Sequence, residues 1–354
     1  MKAGSFCAGT GNGMDRRIQY GRVDWFRLAA ALMVIAIHTA PFSMMEGYRL
    51  DAVLTYGLCR VAVPFFLMTS GYFVLAPCVK SGGKDRRYVR FLKKTLILYG
   101  GAVLLYVPVM WYAKKLPANP GELLKMLVFD GTFYHLWYFP ALILGCLMAV
   151  WMLKGCGLYR ALTIAGVLYL AGLLGDSYYG LIPDGSFLKN IYEGLFQVSS
   201  YTRNGIFYAP LFLLMGAALG EKKCWCPRAV RYSGFVLSLL LMLVESYVTD
   251  ACNLQRHSSM YLALPAVMYF LYQILLEGKG TAPGFLRKGT AFLYVIHPIG
   301  IILVRGAAGV FGMKGLLVEN SLVHYGAVCA VSLVMMVYYL YFLKVMQYLK
   351  QKCK

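Results

Sequence analysis

The pattern of apolar residues consists of long, nearly uncharged runs separated by short polar connections. A helix that crosses a bilayer needs about 20 mostly apolar residues. Ten runs approach or reach that length, and they lie near residues 25–43, 53–77, 91–112, 133–153, 158–175, 204–220, 232–249, 258–276, 289–304 and 322–343. We therefore expect an all-α fold, a polytopic integral membrane bundle of about ten transmembrane helices.

The connections between these runs are too short to hold a soluble domain. The longest, about 176–203, includes a weaker apolar stretch at Phe187–Val198, which we expect to lie on the membrane as an amphipathic helix or to re-enter it. This pattern predicts a polar cytoplasmic segment at 1–21, one membrane domain at 22–346 and a basic cytoplasmic tail at 347–354.

The composition supports a membrane protein. Of 354 residues, 60% are hydrophobic and 14% are charged, against about 45–50% and about 25% in soluble proteins. So few charges cannot cover a water-exposed surface. The numbers exclude a cytosolic enzyme, a disordered chain and a coiled coil, and they predict a multi-pass protein of the cell membrane whose first partner is the lipid bilayer.

The charges predict how the bundle is oriented. The net charge is +20. With the N-terminus inside, 24 of the 35 Lys and Arg residues fall in cytoplasmic segments and nine in outer loops. Cytoplasmic loops of membrane proteins carry such an excess, so we expect both termini in the cytoplasm. The surplus then faces anionic lipid, and nucleic acid is not an expected partner.

Two ionisable residues in the first predicted span are candidates for function. Arg27 and His38 are eleven residues apart, which is three helical turns plus about 20°, so both share one face about 16 Å apart. Asp24 precedes Arg27 by three residues and can orient its guanidinium group. His38 is either a packing histidine bonded to a carbonyl or a general base. The shared face with Arg27 favours the second interpretation.

The second and third spans carry further candidates. Arg60 lies near the outer end of span 2 and is either an interfacial side chain or a substrate ligand. Pro64 predicts a kink, and Ser70 with Gly71 predicts a close helix approach and a hydroxyl in the bundle. A basic cluster opens span 3, and it either marks the cytoplasmic side or binds the diphosphate of coenzyme A: Arg86, Arg87, Arg90, Lys93 and Lys94.

Polar and aromatic residues also gather at the predicted outer ends of the spans. We interpret six of them as candidate substrate ligands: His135, Trp137, Arg203, Asn204, Glu245 and His257. The aromatic residues at the start of span 4 also fit an interfacial belt. Tyr294 and His297, within the ninth span, are two further candidates. Asp176 and Ser177 follow Gly175 and favour a helix-capping turn over the start of a serine esterase. Cys224 and Cys226 are too few ligands for zinc, so no metal site is predicted.

Several motifs together resemble the acyltransferase family 3 membrane proteins. They are the Arg27–His38 pair with ten residues between, Phe65-Phe66-x3-Ser70-Gly71-Tyr72, and the basic start of span 3. YHLWYFPALI (134–143), GDSYYGLI (175–182), RNGIFYAPLF (203–212) and SMYLALP (259–265) resemble the membrane domain of vancomycin-resistance serine/alanine racemases. The resemblance extends from about residue 21 to about 345.

The resemblance to acyltransferase family 3 implies an enzyme. Such a protein moves an acyl group, commonly acetyl, from cytoplasmic acyl-CoA to a small-molecule or cell-envelope acceptor at or beyond the outer face. Carried over, His38 is the catalytic residue and Arg27 its motif partner. His38 either deprotonates the acceptor or carries the acyl group.

The resemblance to the racemase proteins implies a rival function. Those proteins continue into a soluble pyridoxal-phosphate domain, which this sequence does not contain, so we expect no serine racemisation by the chain itself. Their membrane portion implies uptake of L-serine or another small amino acid for a separate serine/alanine racemase. A third possibility is a non-catalytic membrane scaffold, in which Arg27 and His38 are replaceable.

Overall fold

A computed structural model of the chain describes residues 20–45, 49–81, 85–221, 225–278 and 280–352. Within these ranges the fold is all-helical, as predicted, and contains no β-strand. Its twelve α-helices, α1 to α12 in chain order, are Gly21–Thr39, Ala62–Ser70, Ala76–Lys80, Arg86–Tyr112, Pro120–Lys125, Tyr138–Leu174, Phe187–Val198, Ala209–Gly220, Arg228–Ala251, Leu264–Glu277, Phe285–Val310 and Ser321–Lys352.

Each of the ten predicted apolar runs overlaps a helix. Six helical stretches in the described residues are long and apolar enough to cross a membrane, namely Asp51–Val79, α4, α6, α9, α11 and α12, whereas α8 and α10 are shorter. The chain is therefore a multi-pass membrane protein. The count of ten spans and the sidedness of the termini stay predictions, and residues 1–19 lie outside the described part.

The long element α6 is two antiparallel arms joined at Gly157. Gly157 has φ 77° and ψ 173°, which is not helical. A Cβ on Gly145 would lie 2.6 Å from the Cβ of Ala209, and a Cβ on Gly172 would lie 2.8 Å from the Cβ of Phe207. A straight helix would hold Gly145 and Gly172 about 40 Å apart. Because both contact the start of α8, the chain reverses at Gly157, between the two runs predicted there.

The second apolar run and α8 meet backbone to backbone. A Cβ on Gly71 would lie 2.1 Å from the carbonyl oxygen of Leu213, and a Cβ on Gly216 would lie 2.2 Å from that of Met68. The close approach predicted at Gly71 is thus confirmed. The helix is irregular just ahead of Pro64, since proline has no N–H to continue the hydrogen-bond ladder.

Helix α1 lies against α11, and this pairing positions the site. Ile35 on α1, Leu293 on α11 and Val328 on α12 form one buried apolar cluster. The hydroxyl of Tyr106 on α4 donates to the carbonyl oxygen of Val295 at 2.6 Å, which ties α4 to α11. The helices α11 and α12 extend past the apolar runs that predicted them, because lysine and glutamine continue a helix as well as leucine does.

The weaker apolar stretch forms α7, an amphipathic helix. Its first turn is capped by the Ser186 hydroxyl, which accepts from the N–H of Lys189 at 3.2 Å. Tyr192 is buried while Phe187 and Ile191 are exposed. The helix agrees with the prediction, and its position relative to the membrane stays a prediction.

Candidate functional site

Three histidines from three separate segments meet at one end of α1. His38 lies in the last turn of α1, His135 in the loop before α6, and His297 on α11. The rings of His38 and His297 stack with centroids 5.4 Å apart, and the edge of His135 meets His297 at 5.1 Å. His135 and His297 are buried. The histidine cluster below means these three residues.

The ring nitrogens of the histidine cluster are poorly satisfied. The Nδ1 of His297 lies 2.8 Å from the carbonyl oxygen of Tyr294, and because a carbonyl only accepts, Nδ1 carries the proton. Its Nε2 and both ring nitrogens of His135 are buried without a hydrogen-bond partner among the described residues. The Tyr294 hydroxyl donates to the His135 carbonyl. Buried nitrogens of this kind mark a place where a polar ligand or water binds.

The other end of α1 carries an ion network. Asp24 is buried and accepts from Arg27 Nε at 3.1 Å, which confirms the predicted pair. The same carboxylate also accepts from Arg287 on α11, with Nη2 at 2.7 Å. Arg287 was not predicted from the sequence, which does not show that Asp24 is buried and has lone pairs left to satisfy beside a single arginine.

A cavity of about 200 Å³ lies beside this network. Arg27 and Arg287 line it at one end, and Tyr294 lines it one helical turn before His297. Ser70 also lines it, with its hydroxyl donating to the Phe66 carbonyl at 3.1 Å. Arg27 lines the cavity, whereas none of the three histidines does. That Arg27 and His38 serve one site stays a prediction.

The basic cluster at the start of α4 is exposed: Arg86, Arg87, Arg90, Lys93 and Lys94. Arg87 Nη2 lies 2.7 Å from the Asp85 carboxylate. Phe91 and Leu98 on the same helix line the cavity. Lys94 is three residues after Phe91 and four before Leu98, so it lies beside that face of α4.

A second polar group, which we name the arginine cluster, connects Arg60 and Arg203 through the loop ahead of α10. Arg60 Nη2 donates to the Ser258 hydroxyl at 3.1 Å, and Arg203 Nη1 donates to the Ser259 hydroxyl at 3.1 Å. The Ser259 hydroxyl lies 2.7 Å from His257 Nδ1. Of the predicted ligands, the structure thus brings Arg60, Arg203 and His257 together.

Asp176 completes this arrangement in a way that the sequence did not predict. Instead of capping a local turn, its Oδ1 accepts from the N–H groups of Ser259 and Met260 at 2.7 and 2.9 Å. Burial raises the pKa of Asp176 to about 6, and burial lowers the pKa of Arg203 to about 10, with the charge of Arg60 adding to the effect. Buried charges of both signs therefore lie in these loops.

Trp137 connects the two clusters. The Arg203 guanidinium lies over its ring, 4.8 Å from the centroid. Two residues earlier is His135, and the ring of Tyr134 contacts His38 with centroids 4.7 Å apart. The segment 134–137 therefore contacts the histidine cluster on one side and the arginine cluster on the other.

Two of the predicted substrate ligands, Asn204 and Glu245, form hydrogen bonds that stabilise loops. The Asn204 side chain forms four hydrogen bonds, all within residues 199–207. Glu245 accepts from two successive backbone N–H groups ahead of α10 and from the Tyr178 hydroxyl at 2.8 Å. A substrate role for either side chain stays a prediction. Cys224, the first of the cysteine pair, lies outside the described residues.

Comparison with curated proteins finds three relatives with racemase names. Two amino-acid racemases of Enterococcus faecalis are 38% and 35% identical over 92% and 88% of this chain. A serine/alanine racemase of Enterococcus gallinarum is 35% identical over 86% of it. The matches cover 45%, 45% and 43% of those proteins, so this chain spans less than half of their length. No solved structure matches the chain.

The family comparison covers nearly the whole bundle. The family model for the acyltransferase domain of acyltransferase family 3 matches residues 20–341, from the residue before α1 into α12. The matched range includes the ion network, the cavity and both clusters. The chain belongs to the acyltransferase family 3 of membrane proteins.

Proposed function

We propose that the protein transfers a short acyl group from cytoplasmic acyl-CoA to an acceptor at the opposite face. The observation that carries this proposal is the cavity lined by Arg27 and Arg287, which also contacts Tyr294, one helical turn before His297 of the histidine cluster. At about 200 Å³ it is smaller than the 300–1,000 Å³ typical of sites for whole ligands. It suits a thioester arm with a short acyl group, while the nucleotide part stays at the basic cluster of α4.

The two ends of α1 have different roles in this proposal. Arg27 lies about 16 Å from His38 along the helix, so the two residues cannot act on the same atom. Arg27 and Arg287 share one carboxylate, which leaves one excess positive charge for a donor phosphate. Arg27 thus binds the donor, and His38 acts on the reacting group.

His38 acts as the general base. Its imidazole takes the proton of the acceptor hydroxyl or amine, whose oxygen or nitrogen attacks the thioester carbonyl. The carbon–sulfur bond then breaks, and the departing thiolate of coenzyme A takes the proton from the imidazolium. General base catalysis of this kind contributes about 10²–10⁴-fold to a rate.

Transfer of radiolabelled acetyl from acetyl-CoA to a cell-envelope fraction tests the proposal in proteoliposomes. His38→Gln is the variant. His324→Gln is its matched control, because His324 is a buried histidine on α12 whose Nδ1 lies 2.8 Å from the Leu317 carbonyl oxygen, and it does not line the cavity. We expect transfer to fall at least about 100-fold in the first variant only. Equal transfer by both variants would contradict the assignment.

Amino-acid transport is the second candidate function. The relatives are named as amino-acid and serine/alanine racemases, and the arginine cluster combines buried charges of both signs, as a zwitterion requires. Uptake of L-serine by the same proteoliposomes, without acetyl-CoA, distinguishes the two functions. Flux that persists in His38→Gln while acyl transfer is absent from the wild type would favour transport and a separate racemase partner.

A further inference from the structure

Arg60 and Arg203 lie on neighbouring hydroxyls without a carboxylate partner. Arg60 is 8% exposed and bonds Ser258, while Arg203 bonds the next residue, Ser259. The Nε atoms of both arginines are buried and have no hydrogen-bond partner in the described ranges. The ion pairs within 4 Å among those ranges do not include either arginine. Two guanidinium groups thus bond adjacent residues of one loop, and each has an N–H donor that lacks an acceptor in the described ranges.

One carboxylate lies on the same hydrogen-bond chain without forming an ion pair with either arginine. Asp176 is that acid, but its Oδ1 is engaged by backbone N–H groups and its Oδ2 has no hydrogen-bond partner in the described ranges. Burial lowers the pKa of His257, so its ring adds no charge at neutral pH. The buried guanidinium donors therefore lack an acceptor, and buried donors without an acceptor are costly.

We propose that Arg60 and Arg203 bind the carboxylate of a small ligand. A carboxylate supplies acceptors for the unpartnered guanidinium donors, and its two oxygens match the forked geometry of those donors. The Arg203 guanidinium lies over the face of Trp137, and this cation–π contact fixes the position of its donors. The ligand class is therefore a small carboxylic acid such as an α-amino acid, or the carboxyl end of a larger acceptor.

The position of this carboxylate site relates it to the reaction. Trp137 contacts Arg203, and Tyr134 of the same loop contacts His38. A ligand held by its carboxylate at the arginine cluster therefore lies next to the loop that packs on the histidine cluster. Its role as acyl acceptor rests on the proposed function, whereas its binding does not, because no acyl donor is needed.

Binding is measured on the full chain in lipid nanodiscs with no acyl-CoA present. The probes are L-serine, L-alanine, the dipeptide L-alanyl-L-alanine, and L-serinamide, which has an amide in place of the carboxylate. The variants are Arg60→Gln, Arg203→Gln and the charge-retaining Arg203→Lys. Arg256→Gln is the matched control, since Arg256 is exposed on the same loop, donates to the Ser200 carbonyl and packs on Phe196.

We expect the carboxylate probes to bind and L-serinamide to bind at least tenfold more weakly. Arg60→Gln and Arg203→Gln should each weaken carboxylate binding at least tenfold, about 1.4 kcal/mol, with Arg203→Lys retaining part of it and Arg256→Gln unchanged. Tighter binding of the free amino acids than of the dipeptide identifies a free amino acid as the ligand, and the reverse identifies an acceptor terminus. Equal binding of L-serine and L-serinamide, unchanged affinity in both Gln variants, or no binding of any carboxylate probe would overturn the proposal.

Failure of this proposal and failure of the proposed function are separable. Carboxylate binding without acyl transfer would remove the transferase and keep the site. Absence of carboxylate binding together with acyl transfer that depends on His38 would remove the site and keep the transferase.

Discussion

The imidazole ring of His38 stacks on that of His297, with 5.4 Å between centroids and 20° between planes. One histidine comes from the first helix of the bundle and the other from α11, some 260 residues later. The backbone carbonyl of Tyr294 accepts from His297 Nδ1, which fixes the proton on that nitrogen. His38 therefore stacks on an imidazole whose tautomer is set by the backbone of α11.

We predict that His297→Phe reduces acyl transfer at least about tenfold. Phenylalanine preserves a flat ring against His38 but removes both nitrogens, so a loss reports the polar role of His297 and not its packing. The measurement is the rate of acetyl transfer in proteoliposomes, with thermal unfolding as the check on stability. Activity equal to that of the wild type would show that His297 only packs.

Asp24→Asn should destabilise the protein by about 1–3 kcal/mol. The substitution removes the charge that Arg27 and Arg287 share, and unpaired buried charge is costly. The control is Asp184→Asn, because Asp184 pairs with Lys189 at the surface with its side chain 96% exposed. Such exposed pairs contribute about 0–1 kcal/mol. Equal stability of the two variants would contradict the role of Asp24.

Gly71→Ala should destabilise the bundle strongly, while Gly101→Ala should not. A Cβ at Gly71 would meet the Leu213 carbonyl at 2.1 Å, whereas a Cβ at Gly101 on α4 meets nothing within 4 Å. Overpacking costs about 1–3 kcal/mol or more, and alanine in an open helical position gains up to about 1 kcal/mol. Thermal unfolding in matched detergent measures both. Similar effects of the two changes would argue against the α2–α8 contact.

We predict that the titration of Asp176 lowers the free energy of unfolding as the pH rises from about 4 to about 6. Its pKa in the folded state is raised from 3.8 to about 6 by burial, so the folded state binds a proton that the unfolded state has released over this range. Two pKa units correspond to about 3 kcal/mol. The measurement is the difference in unfolding temperature between the wild type and Asp176→Asn at each pH. Taking this difference cancels the titration of the other groups, which both proteins share. A difference that does not decrease across this range would contradict the shift.

Much of the fold followed from the sequence because lipid imposes one rule. Apolar runs of span length must become helices, since nothing else satisfies backbone groups in a bilayer. The exact helix ends did not follow, because α11 and α12 continue through polar residues. The reversal at Gly157 did follow, since it lies between the two separate runs predicted at 133–153 and 158–175.

The candidate site was predictable on one helix and not between helices. The 3.6-residue period placed Arg27 and His38 on one face and paired Asp24 with Arg27. Arg287 was missed because its partner lies 263 residues away in sequence. The hydrogen bonds that Asn204 and Glu245 accept from backbone N–H groups could not be predicted from the sequence either. A polar residue at the end of a span has the same sequence pattern whether it binds a ligand or stabilises a loop.

The most direct test of the account is the separate effect of Arg27→Gln and His38→Gln on KM and kcat for acetyl-CoA in proteoliposomes. The proposed division of roles predicts that Arg27→Gln raises KM about tenfold with little change in kcat, because it weakens donor binding. His38→Gln should lower kcat about 100-fold with little change in KM. The same kinetic change in both variants, or full activity in both, would contradict a route with donor binding at one end and chemistry at the other.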